Sequence, residues 1–423
     1  MRVAVAHAPQ SLKLIAATEA RRIMLETPPV GTEVVPLREA SGRVLAAPFA
    51  ATEDLPVHAR SVMDGYAVRA TDVAAATEQT PAVLRVAGAV PMGATFGGTV
   101  GAGQAVGIST GGFLPDGADA VVMIEHTRAN ADGTVAIGRA VTGGANVIQR
   151  GEDVAAGAAL IPAGRRLRPQ DIAALATFGA ASVGVYRRPR IAVLSTGNEI
   201  CAVDTVPAPG QVRDVNEWVL GAQVELCGAV ATYGGVVRDD EAELEATIAR
   251  LLPAHDAVIL AGGSSVGVKD VSGTVMERLD APGVLFHGID IRPGKPTIFA
   301  RVGGKPVIGM PGFPTSSMVV FDAFVRPLVW RMGGESDRDP WPCAVRARLA
   351  RAVPSLAGRE DYVRVRLFAR DGETWAEPLP GGSSAISNLV YADGMVRVDA
   401  ARADVPAGEW VGVSTFGDVS IGS

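Results

Sequence analysis

Between residues 180 and 333 short apolar runs alternate with helix-length segments, and that alternation leaves the chain few folds to choose from. Ile191-Ala-Val-Leu-Ser-Thr196 and Ala257-Val-Ile-Leu260 have the length and unbroken hydrophobicity of buried strands. Asn216 to Cys227 and Asp240 to Leu252 are read as helices. Strands of this kind alternating with helices make a mostly parallel sheet with helices on both faces. Ligands of such sheets sit over the carboxyl ends of the strands, where glycines let the backbone come close. Three loops belong there: Ala261-Gly-Gly-Ser-Ser-Val-Gly267, Arg292-Pro-Gly-Lys-Pro296 and Met310-Pro-Gly-Phe-Pro-Thr-Ser316. The stretch from 257 to 318 therefore reads as the floor of a site for something anionic.

The flanks have a different texture. Leu12, Leu14, Ile15, Ala20, Ile23 and Met24 follow Ser11 at helical spacing and stop before Pro28-Pro29. Val34-Val-Pro-Leu37 is strand-like, and Glu39 to Leu45 reads as a helical turn. From about 48 to 145, runs such as Ala82 to Ala87, Ala105 to Ile108 and Ala120 to Ile124 are short and bounded by Gly, Pro and Asp, as in a small β domain. Pro169 opens a helix to Thr177 that Gly179 stops. Ser336 to Pro340 reads as a linker, and the tail beyond it alternates at period two, β throughout.

Composition excludes several classes. A net charge of -6 gives no electrostatic reason to bind nucleic acid. No run approaches the roughly 18 apolar residues of a membrane span, and the N-terminus lacks a secretory apolar core. Cys201, Cys227 and Cys343 are scattered, which suggests neither a disulfide framework nor a cysteine zinc site. A cytosolic enzyme or binding protein is expected. Lys13, Lys269, Lys295 and Lys305 are the only lysines among 39 basic residues. Where arginine is the default cation, a lysine inside a Gly/Pro loop is the more specified choice.

Each loop also has an ordinary structural reading. Gly262 and Gly263 with Ser264, Ser265 and Gly267 offer N–H groups and hydroxyls to phosphate-like oxygens, or simply make a tight turn. Asp270 is suited to Mg2+ beside a pyrophosphate, or is a charge at a helix start. Arg292 and Lys295 stand on a turn stiffened by Pro293 and Pro296 around Gly294, so they lose little entropy on gripping an oxyanion. Ser316 is a helix cap or an oxyanion ligand. Glu199 ends the Ser195-Thr-Gly-Asn-Glu199 strand and faces the same crevice. Asp64 in Ser61-Val-Met-Asp-Gly-Tyr-Ala67 and Asp153 in Gly151-Glu-Asp153 are acids beside glycine in irregular stretches. With no nucleophile triad visible, the chemistry would be metal-assisted positioning and electrostatics on a phosphorylated substrate.

Taken together and in order, these stretches resemble the MoeA family of molybdenum insertases, which includes the E domains of gephyrin and its plant counterpart. The likeness runs from Leu55-Pro56 and Ser61 to Arg69 through Thr110-Gly111, Pro115 to Val122 and Asn146 with Asp153. It continues with Gly210 to Asp214 and Asn216, Asp361 to Arg364, Gly382 to Ile386 and Ala392-Asp-Gly394. The resemblance implies a MogA-like doubly wound α/β domain, a segmented α/β domain, an inserted β-rich domain and a C-terminal β-barrel. Their expected bounds are 180–333, 1–47 with 146–179, 48–145 and 334–423. It implies insertion of molybdenum from molybdate into adenylylated molybdopterin, with release of AMP and use of Mg2+, in a cytoplasmic homodimer. The upstream adenylyltransferase and cofactor-accepting enzymes are the implied partners, without nucleic acid or membrane.

Carried over by motif, Asp64, Glu199, Asp270 and Lys295 are similar to the family's catalytic residues, with Asp64 and Asp270 toward metal. Thr110, Asp153, Gly262, Gly263, Ser264, Ser265, Gly267, Pro293, Gly294 and Pro296 look like cofactor-binding positions. Arg292, Lys295, Ser316, Arg364 and Ser383 match molybdate positions. The chain departs from the family pattern at Asn198, where T-G-D-E has an acid, at Phe313, where an Asn is usual, and at Ser264 and Val268-Lys269. Two other readings share the fold: a MogA-like molybdopterin adenylyltransferase, which would not need the flanking domains, and a non-catalytic molybdopterin-binding scaffold, which would have no use for the carboxylates.

Overall fold

The computed structural model describes residues 13–262, 271–279, 281–335, 338–382, 384–417 and 419. They belong to two compact units. The first takes in the described parts of Met1–Ala46, Gly164–Arg168 and Ser182–Ser423, and the second Ala47–Ala163 with Pro169–Ala181.

The first unit is built on a six-stranded sheet. Its order is Val230–Val237, Arg190–Thr196, Ala257–Ala261, Lys305–Met310, Ile298–Val302 and Pro282–His287. The first four strands are parallel and the last two antiparallel. Side chains alternate across a strand, so one strand feeds two cores. Ile191 and Val193 join Leu220, Val224, Phe321, Phe324 and Leu328 on one face. Ala192 and Leu194 join Leu244, Ile248, Val275 and Met276 on the other. Burial on both faces explains why these strands read as unbroken apolar runs. Helix Asn216–Leu226 covers the first face. Helix Glu241–Leu251 covers the second, capped by the Asp240 side chain, which accepts the Glu243 N–H.

The C-terminal part of the same unit is a closed barrel. Strands Glu360–Arg370, Glu373–Pro378, Val345–Leu349, Trp410–Thr415 and Gly394–Val398 pair in that order, and the last returns to the first. Full closure leaves no unpaired edge. Ile291–Arg292 adds in parallel beside Glu360 and Asp361, which ties the lysine-bearing turn to the barrel.

The second unit carries its own six-stranded sheet: Ala120–Met123, Gly65–Val68, Gln104–Ile108, Ala82–Ala89, Thr134–Ile137 and Thr127–Ala129. Val68, Val73, Leu84, Val122, Val135 and Ile137 make its core. Short strands Arg60–Ser61 and Val147–Ile148 pair beside it, as do Phe49–Ala50 and Ala159–Ile161.

Three local expectations are corrected. The first helix starts only at Ala17, because Ile15 is used in a bridge to Ile289, with its N–H on the Gly288 carbonyl. The helical turn lies at Leu37–Glu39, and Val44 and Leu45 instead bridge Arg166 and Val185. The tail is not β throughout: Ser387–Tyr391 is a helix. Ser11, Leu12, Ser336 and the loop 263–270 lie outside the described residues.

Candidate active site

A cleft of about 1160 Å³ opens over the carboxyl ends of the parallel strands in the first unit. Its floor includes Thr196, Gly262 and Gly312, and Glu199, Arg292, Lys295 and Ser316 stand around it, with Phe313 beside them. The barrel closes one side with Leu356, Arg359, Ser384 and Ile386. Gly262 has to be glycine: its φ is +108°, and a Cβ would lie 2.3 Å from the Thr196 carbonyl oxygen. Gly294 is equally constrained, at φ +111° with Val320 2.4 Å from any Cβ. The turn around it is pinned by the Thr297 hydroxyl donating to the Gly294 carbonyl at 2.7 Å and the Ile289 N–H donating to Lys295 at 3.0 Å.

That turn holds the cations. Arg292 and Lys295 are both exposed, and Lys295 has no carboxylate partner among the described residues. Arg292 stands 3.8 Å from Asp361, but Arg359 already binds both Asp361 oxygens, at 2.7 and 3.0 Å. Asp361 is buried and committed to Arg359, so the Arg292 guanidinium, 64% exposed, keeps donors for a ligand. Ser316 is 5% exposed on the wall of the cleft. Phe313, 56% exposed, precedes helix Pro314–Val320 and is among the residues that line the cleft.

Arg364 lies in an adjoining hollow of about 540 Å³, whose lining shares Arg292 and Pro293 with the cleft. It donates to the Gly381 carbonyl at 3.2 Å, while Nη1 is buried without a partner. Burial draws its pKa below the usual guanidinium value.

The second unit holds three of the expected acids and hydroxyls. The Thr110 N–H donates to Asp64 Oδ1 at 2.8 Å, so these two meet directly. The Asp64 loop is fixed from several sides. The Ile124 N–H donates to the Asp64 carbonyl at 2.9 Å, and the Ser61 hydroxyl closes a turn on Met63 at 2.6 Å. The Val62 N–H donates to Asn146, whose φ is +56° and whose amide donates to Val121 at 2.8 Å. Asp153 is exposed, with its N–H on the Leu55 carbonyl. Gly263, Ser264, Ser265, Gly267, Asp270 and Ser383 fall outside the described residues.

Several residues of the cleft received no role from the sequence. Asp214 and Asn216 were legible only as part of a Gly210-to-Asn216 motif. Asp214 Oδ1 takes the Ser195 hydroxyl at 2.6 Å and the Glu217 N–H at 3.2 Å. Asn216 donates to the Gly312 carbonyl at 2.7 Å. The Asn198 departure also finds a partner: its N–H donates to Asp239, and the Asp239 N–H donates back, at 3.2 and 3.3 Å. Both bonds use backbone N–H groups, the second ending on the Asn198 side-chain oxygen. No cluster of three metal-ligating side chains occurs among the described residues. A Mg2+ held by one or two carboxylates and the ligand's own phosphates still fits this cleft, with Glu199 exposed in it and engaged in no described ion pair.

The fold and cleft define a class: a doubly wound α/β protein whose strand-end cleft is lined on one side by a β-barrel. Three family models cover most of the chain: MoeA N-terminal region (domain I and II) over 15–179, a probable molybdopterin binding domain over 192–331, and MoeA C-terminal region (domain IV) over 346–416. A molybdopterin molybdenumtransferase of Nostoc sp. is 36% identical, with 85% of this chain and 82% of the relative aligned. One from Bacillus subtilis is 33% identical, with 86% and 85% aligned. The crystal structure of a molybdopterin biosynthesis MoeA protein from Pyrococcus horikosii superposes with a TM-score of 0.84 at 35% identity, over 96% of this chain and all of that one. The chain belongs to the MoeA family.

Proposed function

We propose that this protein is a molybdopterin molybdenumtransferase, which inserts molybdenum from molybdate into adenylylated molybdopterin and releases AMP. The observation that carries the reading is the pinned Arg292–Lys295 turn, whose exposed cations face a cleft at the strand ends. Molybdate is a compact dianion, and a rigid pair of cations beside the Ser316 hydroxyl suits it. In this reading Arg292, Lys295 and Ser316 hold molybdate, and Arg364 with Ser383 extends that set. The loop from Gly262 through Asp270 receives the pyrophosphate. Glu199 and Asp270 would hold Mg2+, which would supply charge neutralisation at the phosphate oxygens. The family likeness gives Asp64, whose carboxylate accepts the Thr110 N–H, a catalytic role toward metal, and Asp153 a cofactor-binding role.

The same reading carries a Mg2+ requirement, a cytoplasmic homodimer, the four-domain division and handover from an adenylyltransferase to cofactor-accepting enzymes, each from the family likeness. No helix among the described residues is long and apolar enough to cross a membrane. The pure protein with adenylylated molybdopterin and Mg2+ should release AMP only when molybdate is added. Release that ignores molybdate would refute the insertase reading, and ATP consumption on free molybdopterin would replace it with adenylyl transfer.

A further inference from the structure

Arg60 is a cation that the second unit sets in place and leaves without a counter-charge. It lies on strand Arg60–Ser61, opposite Phe113 on one side and Ile148 on the other. The Leu114 N–H donates to the Ala59 carbonyl and the Ser61 N–H to the Gly112 carbonyl, both at 2.9 Å. Arg60 and Phe113 thus make no backbone bond to each other, the kind of pair that brings side chains closest. The guanidinium carbon stands 4.7 Å from the centre of the Phe113 ring. The His58 ring meets that same ring at 81°, centre to centre 5.4 Å. A ring contact holds the guanidinium without spending its N–H donors. Nε is closed to water and unpaired, Nη1 and Nη2 are not closed off, and the side chain makes no hydrogen bond or ion pair among the described residues. Acids of the adjoining loops are engaged elsewhere. Asp54 takes Arg150 at 2.7 Å and the Ala156 N–H at 2.9 Å, and Glu152 takes the Gln149 N–H at 2.6 Å. The pairing that seats Arg60 runs on into the Asp64 loop, through the Gly111 N–H on the Ser61 carbonyl at 2.8 Å and the Thr110 N–H on Asp64.

We propose that Arg60, held over Phe113, is a phosphate-binding residue of the second unit, taking a phosphate group through the outer nitrogens of its guanidinium. The planar fork matches two phosphate oxygens at once, and a dianion gains more from it than a carboxylate does. Because the ring already holds the fork, less side-chain freedom is lost when the anion arrives. The proposal rests on the function above for its ligand class, since the AMP released there carries such a group, and adds a contact in the unit that does not contain the strand-end cleft.

Phenylglyoxal modifies guanidinium groups, and peptide mass spectrometry of the treated full chain reads Arg60 by itself. Saturating AMP or inorganic phosphate should slow modification of Arg60 at least about fivefold, whereas adenosine and acetate should not. Half-protection at a lower concentration of AMP than of phosphate identifies the nucleotide as the source of the group, and the reverse identifies the free anion. In calorimetric titration Arg60→Gln should weaken AMP binding about tenfold, and Arg60→Lys, which keeps the charge without the fork, should restore part of it. Phe113→Leu, which removes the ring and keeps the cation, should weaken binding about threefold. Equal modification of Arg60 with and without both phosphate compounds, protection by adenosine or acetate as strong as by phosphate, or an AMP affinity unchanged in Arg60→Gln would overturn the proposal. Protection is read on the wild-type chain, so a variant that does not fold leaves the test standing. Molybdate-dependent AMP release is measured apart from it, so this contact and the insertase reading fail by different measurements.

Discussion

Two sets of buried polar side chains in the first unit differ in one respect, whether the protein pairs all of their atoms. Arg21, on helix Ala17–Leu25, binds both oxygens of Glu360 and the Tyr362 hydroxyl, donates to the Ala323 carbonyl at 3.3 Å and lies 4.8 Å from the Phe324 ring centre. Tyr362 in turn donates to Glu360 at 2.6 Å. This knot ties the first helix to the barrel and leaves Glu360 nothing to offer a ligand. Thr196, Asp214 and Asn216, which line the cleft, are as deeply buried, yet each side chain keeps an atom without a partner among the described residues. A fully paired cluster holds elements together, whereas unpaired polar atoms on residues that line a cleft leave hydrogen-bonding capacity unused.

The largest effect should come from breaking the knot. Arg21→Met strands Glu360 as a buried charge and should cost about 3 kcal/mol of unfolding free energy in denaturant titration. Burial raises the Glu360 carboxyl, but the hydrogen bond and charge of Arg21, with the Tyr362 hydroxyl, outweigh it and hold its pKa below 4.5. A carboxylate depressed in the folded state contributes stability above its unfolded pKa and loses it as pH falls through the folded one. Wild-type stability should therefore drop as pH falls below 4.5, and Arg21→Met should flatten that slope; a parallel slope in both proteins would contradict the account.

Next comes the cleft. Lys295→Ala should lower molybdate-dependent AMP release about 100-fold while leaving stability within about 0.5 kcal/mol, because the ammonium has no described structural partner. A stability loss matching the activity loss would move Lys295 to the structural side of the comparison. The smallest effect belongs to the floor. Gly262→Ala pushes a Cβ toward the Thr196 carbonyl at a positive φ and should cost about 1–2 kcal/mol, read as a lowered unfolding midpoint. An unchanged midpoint would mean that the close approach at Thr196 is not needed.

The sequence showed the strand ends and their loops plainly, because unbroken apolar runs ending in Gly or Pro have few other readings. Lys295, Arg292, Ser316 and Glu199 could thus be assembled around one crevice before any coordinates. What stayed hidden depends on partners distant in the chain. Arg21 and Glu360 are 339 positions apart, and no local pattern announces them. Asp214 was legible only inside the Gly210-to-Asn216 motif, since only the Ser195 and Glu217 contacts show which of its oxygens they occupy. The contacts between Asn198 and Asp239, 41 positions apart, were equally hidden. The helix at Ser387–Tyr391 was missed because period-two alternation on either side of it hid a segment too short for a helical pattern.

The central claim is that the Arg292–Lys295 turn receives molybdate, and calorimetric titration of molybdate into the full chain tests it most directly. Wild type and Asp64→Ala should bind molybdate with equal affinity, and Lys295→Ala at least about tenfold more weakly, in line with the loss of one charge-assisted contact. Equal affinity in wild type and Lys295→Ala would contradict the assignment.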